Sequence, residues 1–129
     1  MRLVVDTNVL VAGLLRADGP PGRVVDSVLR QSYVVLYDDR IMREYESVLV
    51  RPRFGFEAGA ISTFLAFVRD VGERIVAPPF ELRCSDAGDQ PFLEVAVEAR
   101  AAALVTGNRR HFPSRCPVRI VSPAELVRL

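Results

Sequence analysis

The feature that most constrains this chain is an alternation of two hydrophobic rhythms. Short runs rich in β-branched and aromatic residues recur at Arg2–Val5, Tyr33–Tyr37, Ile75-Val76, Ala103–Val105 and Val118–Val121. Between them lie stripes at helical spacing: Asn8–Leu15; Val24, Val25, Val28 and Leu29; Ile41, Met42, Tyr45, Val48 and Leu49; Ile61, Phe64, Leu65 and Val68; Phe92, Leu93, Ala96 and Ala99. The first kind predicts strands and the second helices. Strands alternating with helices predict an α/β fold with a mostly parallel central sheet, flanked by helices on both faces. Breakers predict loops at Ala17–Gly22 and Cys84–Asp89, and Ser122-Pro-Ala-Glu125 has the form of a helix capping box.

At 129 residues the chain fits a single domain, 1–129, and half of its residues are hydrophobic, enough for a core without disulfide staples. No apolar run reaches the roughly 18 residues of a membrane span. Arg2 is followed by a β-type run and then Asp6, which is unlike a signal peptide. A soluble, cytoplasmic protein is expected. Cys84 and Cys116 are far apart, with no C-x-x-C spacing, and read as packed thiols. The net charge of +1 excludes a generally basic surface that attracts nucleic acid. Its 17 basic residues are nevertheless all arginine, the better partner for phosphate.

In parallel α/β sheets ligands bind beyond the carboxyl ends of the strands. Asp6 follows the first strand, Asp89 begins a helix, and Asn108 follows the strand around Leu104. Each has a bland reading as a cap or turn residue. Asp86 has the same reading and lies deeper in its loop. On the third helix Glu44 and Glu46 flank Tyr45 on either side, and periodicity does not choose between them. Clustered carboxylates repel one another unless protonated or bound to a cation. An all-oxygen acidic set suits Mg2+ or Mn2+, which support hydrolysis at phosphorus. The single histidine, His111, reads as a surface or packing residue, so zinc is not indicated.

Four blocks then carry a resemblance: V-V-D-T-N-V-L at Val4–Leu10, E-Y-x-x-V-L-x-R-P at Glu44–Pro52, D-x-x-D-x-P-F-L-E-V-A at Asp86–Ala96, and L-V-T-G-N at Leu104–Asn108. In this order and spacing the chain resembles a PIN domain, in particular the toxin-type PIN proteins related to VapC. The resemblance implies a Rossmann-like PIN domain and a Mg2+- or Mn2+-dependent endoribonuclease. It implies Asp6, Glu44 and Asp89 as the acidic metal ligands, and so selects Glu44 over Glu46. Asn108 falls where many members carry a fourth acid, and would complete the metal site as a neutral ligand. Thr7, Asn8 and Thr106 match the family's polar supports. Arg109 and Arg110 are placed to hold flanking phosphates of an RNA, with Arg51 and Arg53 as lesser candidates. A homodimer and a small antitoxin are the partners implied.

The alternative is a PIN-fold module that binds RNA or a partner without turning over. A haloacid-dehalogenase-like phosphohydrolase would need a second Asp two residues after the first, where Asn8 stands. No Gly-rich nucleotide loop is present.

Overall fold

The computed structural model describes residues 1–129. Its organising strand is β1 (Arg2–Val5), in which Leu3, Val4 and Val5 are all fully buried. Successive strand residues point to opposite faces, so burial of three in a row means that both faces of the sheet are covered. Ala103, Leu104 and Val105 in β4 (Ala103–Val105) repeat the pattern.

The remaining strands are β2 (Val34–Tyr37), β3 (Glu73–Arg74) and β5 (Ile120–Val121). The five strands lie in the order β3-β2-β1-β4-β5, and all four pairings are parallel. Leu3 lies between Val35 and Ala103, and Val5 opposite Val105. The chain builds outward from β1 through β2 to β3 and then returns to place β4 on the other side of β1. The reversal therefore falls between β1 and β4, where an open α/β sheet leaves a crevice.

Six helices flank the sheet: α1 (Thr7–Leu15), α2 (Pro20–Leu29), α3 (Asp39–Leu49), α4 (Ala58–Val71), α5 (Gln90–Ala99) and α6 (Pro123–Leu126). Helix α5 packs across β1, β2 and β4, and contacts α3, which also packs on α4. Helix α1 packs on α2, which meets α6. The close crossing of α1 on α2 requires glycine at position 13, because a Cβ there would stand 2.5 Å from the Pro21 carbonyl oxygen.

Two elements differ from the sequence expectation. Helix α2 begins at Pro20, inside the expected Ala17–Gly22 loop. Proline is pre-set for the first helical turn, so Pro20-Pro21 starts the helix instead of breaking it, after Gly19 turns the chain at φ 107°. Strand β3 is Glu73–Arg74, two residues before Ile75-Val76, and Val76 is exposed. On this short edge the pairing to β2 is made by the backbone, with Ile75 N donating to the Tyr37 carbonyl over 2.7 Å, and exposed ion pairs flank it. Arg2 Nε donates to Glu73 over 2.8 Å, and Arg74 forks onto Asp39 at 2.9 and 2.8 Å. The capping box at α6 forms as expected, with Ser122 Oγ accepting from Glu125 N and Glu125 Oε1 accepting from Ser122 N.

Tyr45 ties α3 to the sheet. It is fully buried, and its hydroxyl donates to the Val5 carbonyl over 2.5 Å. A buried tyrosine hydroxyl needs such a partner. The bond sets the rotation of α3 one residue away from Glu44. Tyr45→Phe is expected to lower stability by about 1 kcal/mol, measured by urea denaturation, because it removes one net hydrogen bond. A loss below measurement error would contradict this role.

Candidate active site

At the crevice, β1 hands over directly to α1. Asp6 occupies the N-cap position of α1 but makes no capping hydrogen bond with its side chain. Its Oδ2 instead accepts from Thr106 Oγ1, just beyond β4, over 2.7 Å, and the carboxylate is only 5% exposed. Asp89 repeats this behaviour. It stands at the N-cap of α5 without capping it, and its Oδ2 meets His111 Nδ1 at 3.1 Å. Elsewhere the chain uses aspartates as caps in the ordinary way: Asp38 accepts from Ile41 N, and Asp86 from Gly88 N. Asp6 and Asp89 hold cap positions with their carboxylates turned to other work.

Glu44 comes from the middle of α3 and accepts from Thr7 Oγ1 over 2.5 Å. Glu46, which periodicity left equal to it, pairs with Arg69 at the surface over 3.2 Å. A cavity of about 460 Å3 is lined by Asp6, Glu44, Asp86 and Asp89 together with Thr7 and Asn8. Asn8 Oδ1 accepts from Gly107 N, and Thr106 Oγ1 from Asn108 N, so both supports pin the turn after β4. Thr7 and Asn8 lie inside α1 and do not cap it.

Asn108 lines a neighbouring polar recess with Ser85, Arg109, Arg110 and His111, and is not among the residues lining the carboxylate cavity. Arg109 and Arg110 open onto a larger hollow of about 800 Å3 over Phe112, Val118 and Arg119. Arg109 is further tied to Glu125, the acid of the capping box. Arg51 and Arg53, by contrast, line the carboxylate cavity itself.

The electrostatics follow from this crowding. The Asp6 pKa is raised to about 6: burial raises it most, the Thr106 hydrogen bond offsets part of the rise, and Asp89 and Glu44 add to it. Asp89 is also raised, first by burial and then by Asp86, against the lowering effect of His111. The carboxylates are not preassembled into a ligand cage, since no three His, Cys, Asp or Glu side chains stand close enough together to hold an ion. Their donor atoms are all oxygen, and their mutual repulsion is of the kind a hard divalent cation relieves.

Two residues outside the expected set matter here. His111 partners Asp89 from 22 positions away, across a short turn that carries no periodic signal. Glu94, buried in α5, accepts from Arg40 Nη1 at 2.8 Å, from Phe80 N at 3.0 Å and from Gln90 Nε2 at 3.3 Å. Burial raises the Glu94 pKa, but the bond from Arg40 and the others outweigh it and hold the carboxyl below its usual range. This node fastens the loop from Phe80 to Asp89 against α3 and α5. Both cysteines are free, and burial pushes the Cys84 thiol up to about 12, so it stays protonated.

The model of the PIN domain family matches residues 2–110. The chain belongs to the PIN domain family. PIN domains are nucleases and bind nucleic acid, and this PIN domain puts its acids where the fold opens. It is also similar to an uncharacterized protein, MJ1680, of Methanocaldococcus jannaschii. The two are 25% identical over 112 residues, 84% of this chain and 72% of the relative. No helix of this PIN domain is long and apolar enough to cross a membrane.

Asp6 yields a signed prediction for the metal-free protein. With its pKa near 6 when folded and near its ordinary value when unfolded, the folded state holds the extra proton between about pH 4 and 6. Stability therefore falls as pH rises through that window and stays lower above it, by about 3 kcal/mol. Asp6→Asn is expected to raise the melting temperature by several degrees at pH 8 and to change it little at pH 4; equal shifts at both would refute this. Glu94→Ala leaves Arg40 only its pair with Asp38 and frees Phe80 N and Gln90 Nε2; it is expected to cost about 2 kcal/mol in chemical denaturation, with Glu94→Gln costing less.

Proposed function

We propose that this protein is a Mg2+- or Mn2+-dependent endoribonuclease, and the toxin component of a toxin–antitoxin pair. The observation that carries the nuclease reading is that Asp6, Glu44 and Asp89, from three separate elements, line one cavity at the carboxyl ends of β1 and β4. In this reading Asp6, Glu44 and Asp89 hold the ion, with Asn108 reaching it from the adjoining recess. Bound there, a hard divalent cation supplies an activated water and positive charge at the scissile phosphate.

The chain's own groups do the rest. Thr106 and Thr7 donate to Asp6 and Glu44 and so fix which carboxylate oxygens remain free. His111 orients Asp89. Asn8 holds the Gly107 turn beside the cavity. In this reading Arg109 and Arg110, which line the adjoining recess with Asn108, draw in the flanking phosphates, which makes binding salt-dependent. The resemblance to toxin-type PIN proteins supports the antitoxin partner, the homodimer and a cytoplasmic location. A binding-only module is the second reading, favoured by Asn108 standing outside the carboxylate cavity.

The test is cleavage of a mixed RNA pool by purified protein with Mg2+ or Mn2+, beside Asp6→Asn and Asp89→Asn. Both variants are expected to lose at least about a hundredfold in rate. The affinity for Mg2+ or Mn2+, read by titrating the cation at each pH, is expected to weaken as pH falls through about 6, because the Asp6 proton competes with the cation. Cleavage surviving both substitutions would refute the site. Folded, antitoxin-free protein that binds RNA without cutting it would establish the module.

A further inference from the structure

The carboxylates account for only part of the lining of their cavity. The rest includes Val11, Leu15, Val48, Arg51, Arg53 and Phe54. A hydrated cation has no use for apolar carbons and an aromatic ring, and Leu15 is left 52% exposed by the fold itself.

The ring of Phe54 sits in a short helical turn, Pro52–Phe54, immediately after α3. Gly55 follows at φ 69°, a left-handed turn that lets Phe56 come back and stack on Phe54, with centroids 5.9 Å apart and planes at 27°. The guanidinium of Arg53 lies over the Phe54 ring, 4.9 Å from its centroid. Neither Arg51 nor Arg53 is engaged in an ion pair, whereas Arg2, Arg40, Arg69, Arg74 and Arg109 all are. The turn thus presents a braced aromatic ring, a planar cation and a second free cation at the rim of an acidic cavity.

We propose that the Arg51–Phe54 turn is a nucleobase platform: an unstacked base next to the scissile phosphate lies on the outer face of the Arg53 guanidinium, which the Phe54 ring holds flat, while Arg51 takes a neighbouring phosphate. The chemistry of this part of the lining selects this occupant. Aromatic rings and guanidinium planes both accept bases face-on, and they do so with little regard to base identity. A paired and stacked base inside a duplex has no free face to offer. The arginines also supply what the carboxylates lack, since a polyanion entering between Glu44 and Asp89 meets repulsion unless cations stand beside them. The platform rests on the nuclease reading for the position of the phosphate, but its binding does not depend on turnover.

The experiment pairs a change in the protein with a change in the RNA. A fluorescent single-stranded RNA is bound to the protein in EDTA, either intact or with one abasic nucleotide placed in turn along it. The proteins are the wild type, Phe54→Leu, Phe54→Trp and Arg53→Gln, each checked for an unchanged melting temperature. For the wild type, one abasic position is expected to weaken binding by about tenfold or more. Phe54→Leu is expected to bind the intact strand with that same deficit and to show no further loss with the abasic one. Phe54→Trp is expected to restore discrimination, and Arg53→Gln to lose part of it.

If Phe54→Leu still discriminates the abasic strand as the wild type does, the platform is overturned, whatever the cleavage assay shows. Wild-type protein that fails to bind single-stranded RNA, or binds a matched duplex equally well, also overturns it. Discrimination that depends on Phe54 in protein that never cleaves RNA supports the platform and removes the nuclease reading instead.

Discussion

A single buried charge governs this molecule. Asp6 ends the central strand of a sheet covered on both faces, where a carboxylate is costly to hold unless something answers it. One hydroxyl does so in part, and the acids around it make matters worse. The surrounding structure is organised by that imbalance. Tyr45 hydrogen-bonds Val5, the residue before Asp6, and so carries Glu44 to the cavity. The switch in strand order places Thr106 at its side. A fold selected for stability alone would put an apolar or amide side chain at position 6.

Around that charge the chain builds in two tiers. The inner tier is rigid, because Asp6, Thr7, Thr106 and Asn8 are attached to β1, β4 and α1. The outer tier, from Phe80 to Asp89, has almost no regular structure; Glu94 anchors it at Phe80 N, Gln90 at Leu82 O and Cys84 N, and the His111 carbonyl at Ser85 N. Glu94 gathers two side chains and a backbone amide from three parts of the chain, and with Gln90 it does for the loop what a strand does elsewhere. Asp89 inherits its position from that anchor and from His111.

Much of this was legible in the sequence, and the boundary is physical. Asp6 could be located because a strand, a charge and an apolar helix in immediate succession leave a side chain few places to go. The fold followed from β1, β2 and β4, whose runs are buried on both faces. Strand β3 was misplaced by two residues because its side chains are charged and exposed, and its pairing to β2 is made by the backbone alone. Helix α2 began early because proline both breaks and starts helices. The choice between Glu44 and Glu46 needed either the family's pattern or the tertiary contact with Thr7; a helical wheel treats them alike. Glu94, His111 and Phe54 gave no signal, since each acts through partners distant in sequence or through a turn without periodicity.

The strand order has a consequence for how the protein comes into being. The hydrogen bond that completes the Asp6 environment joins residues 100 positions apart. Strand β1 acquires its second neighbour only when β4, at Ala103–Val105, has been made. On a ribosome that adds roughly 5–20 residues each second, the first acid waits several seconds for its partner. During that interval β1, β2 and the first helices can pair, but the crevice has only one side. The arrangement thus acts as a timer, in which every nascent chain lacks the assembled acidic pocket until β4 has been made.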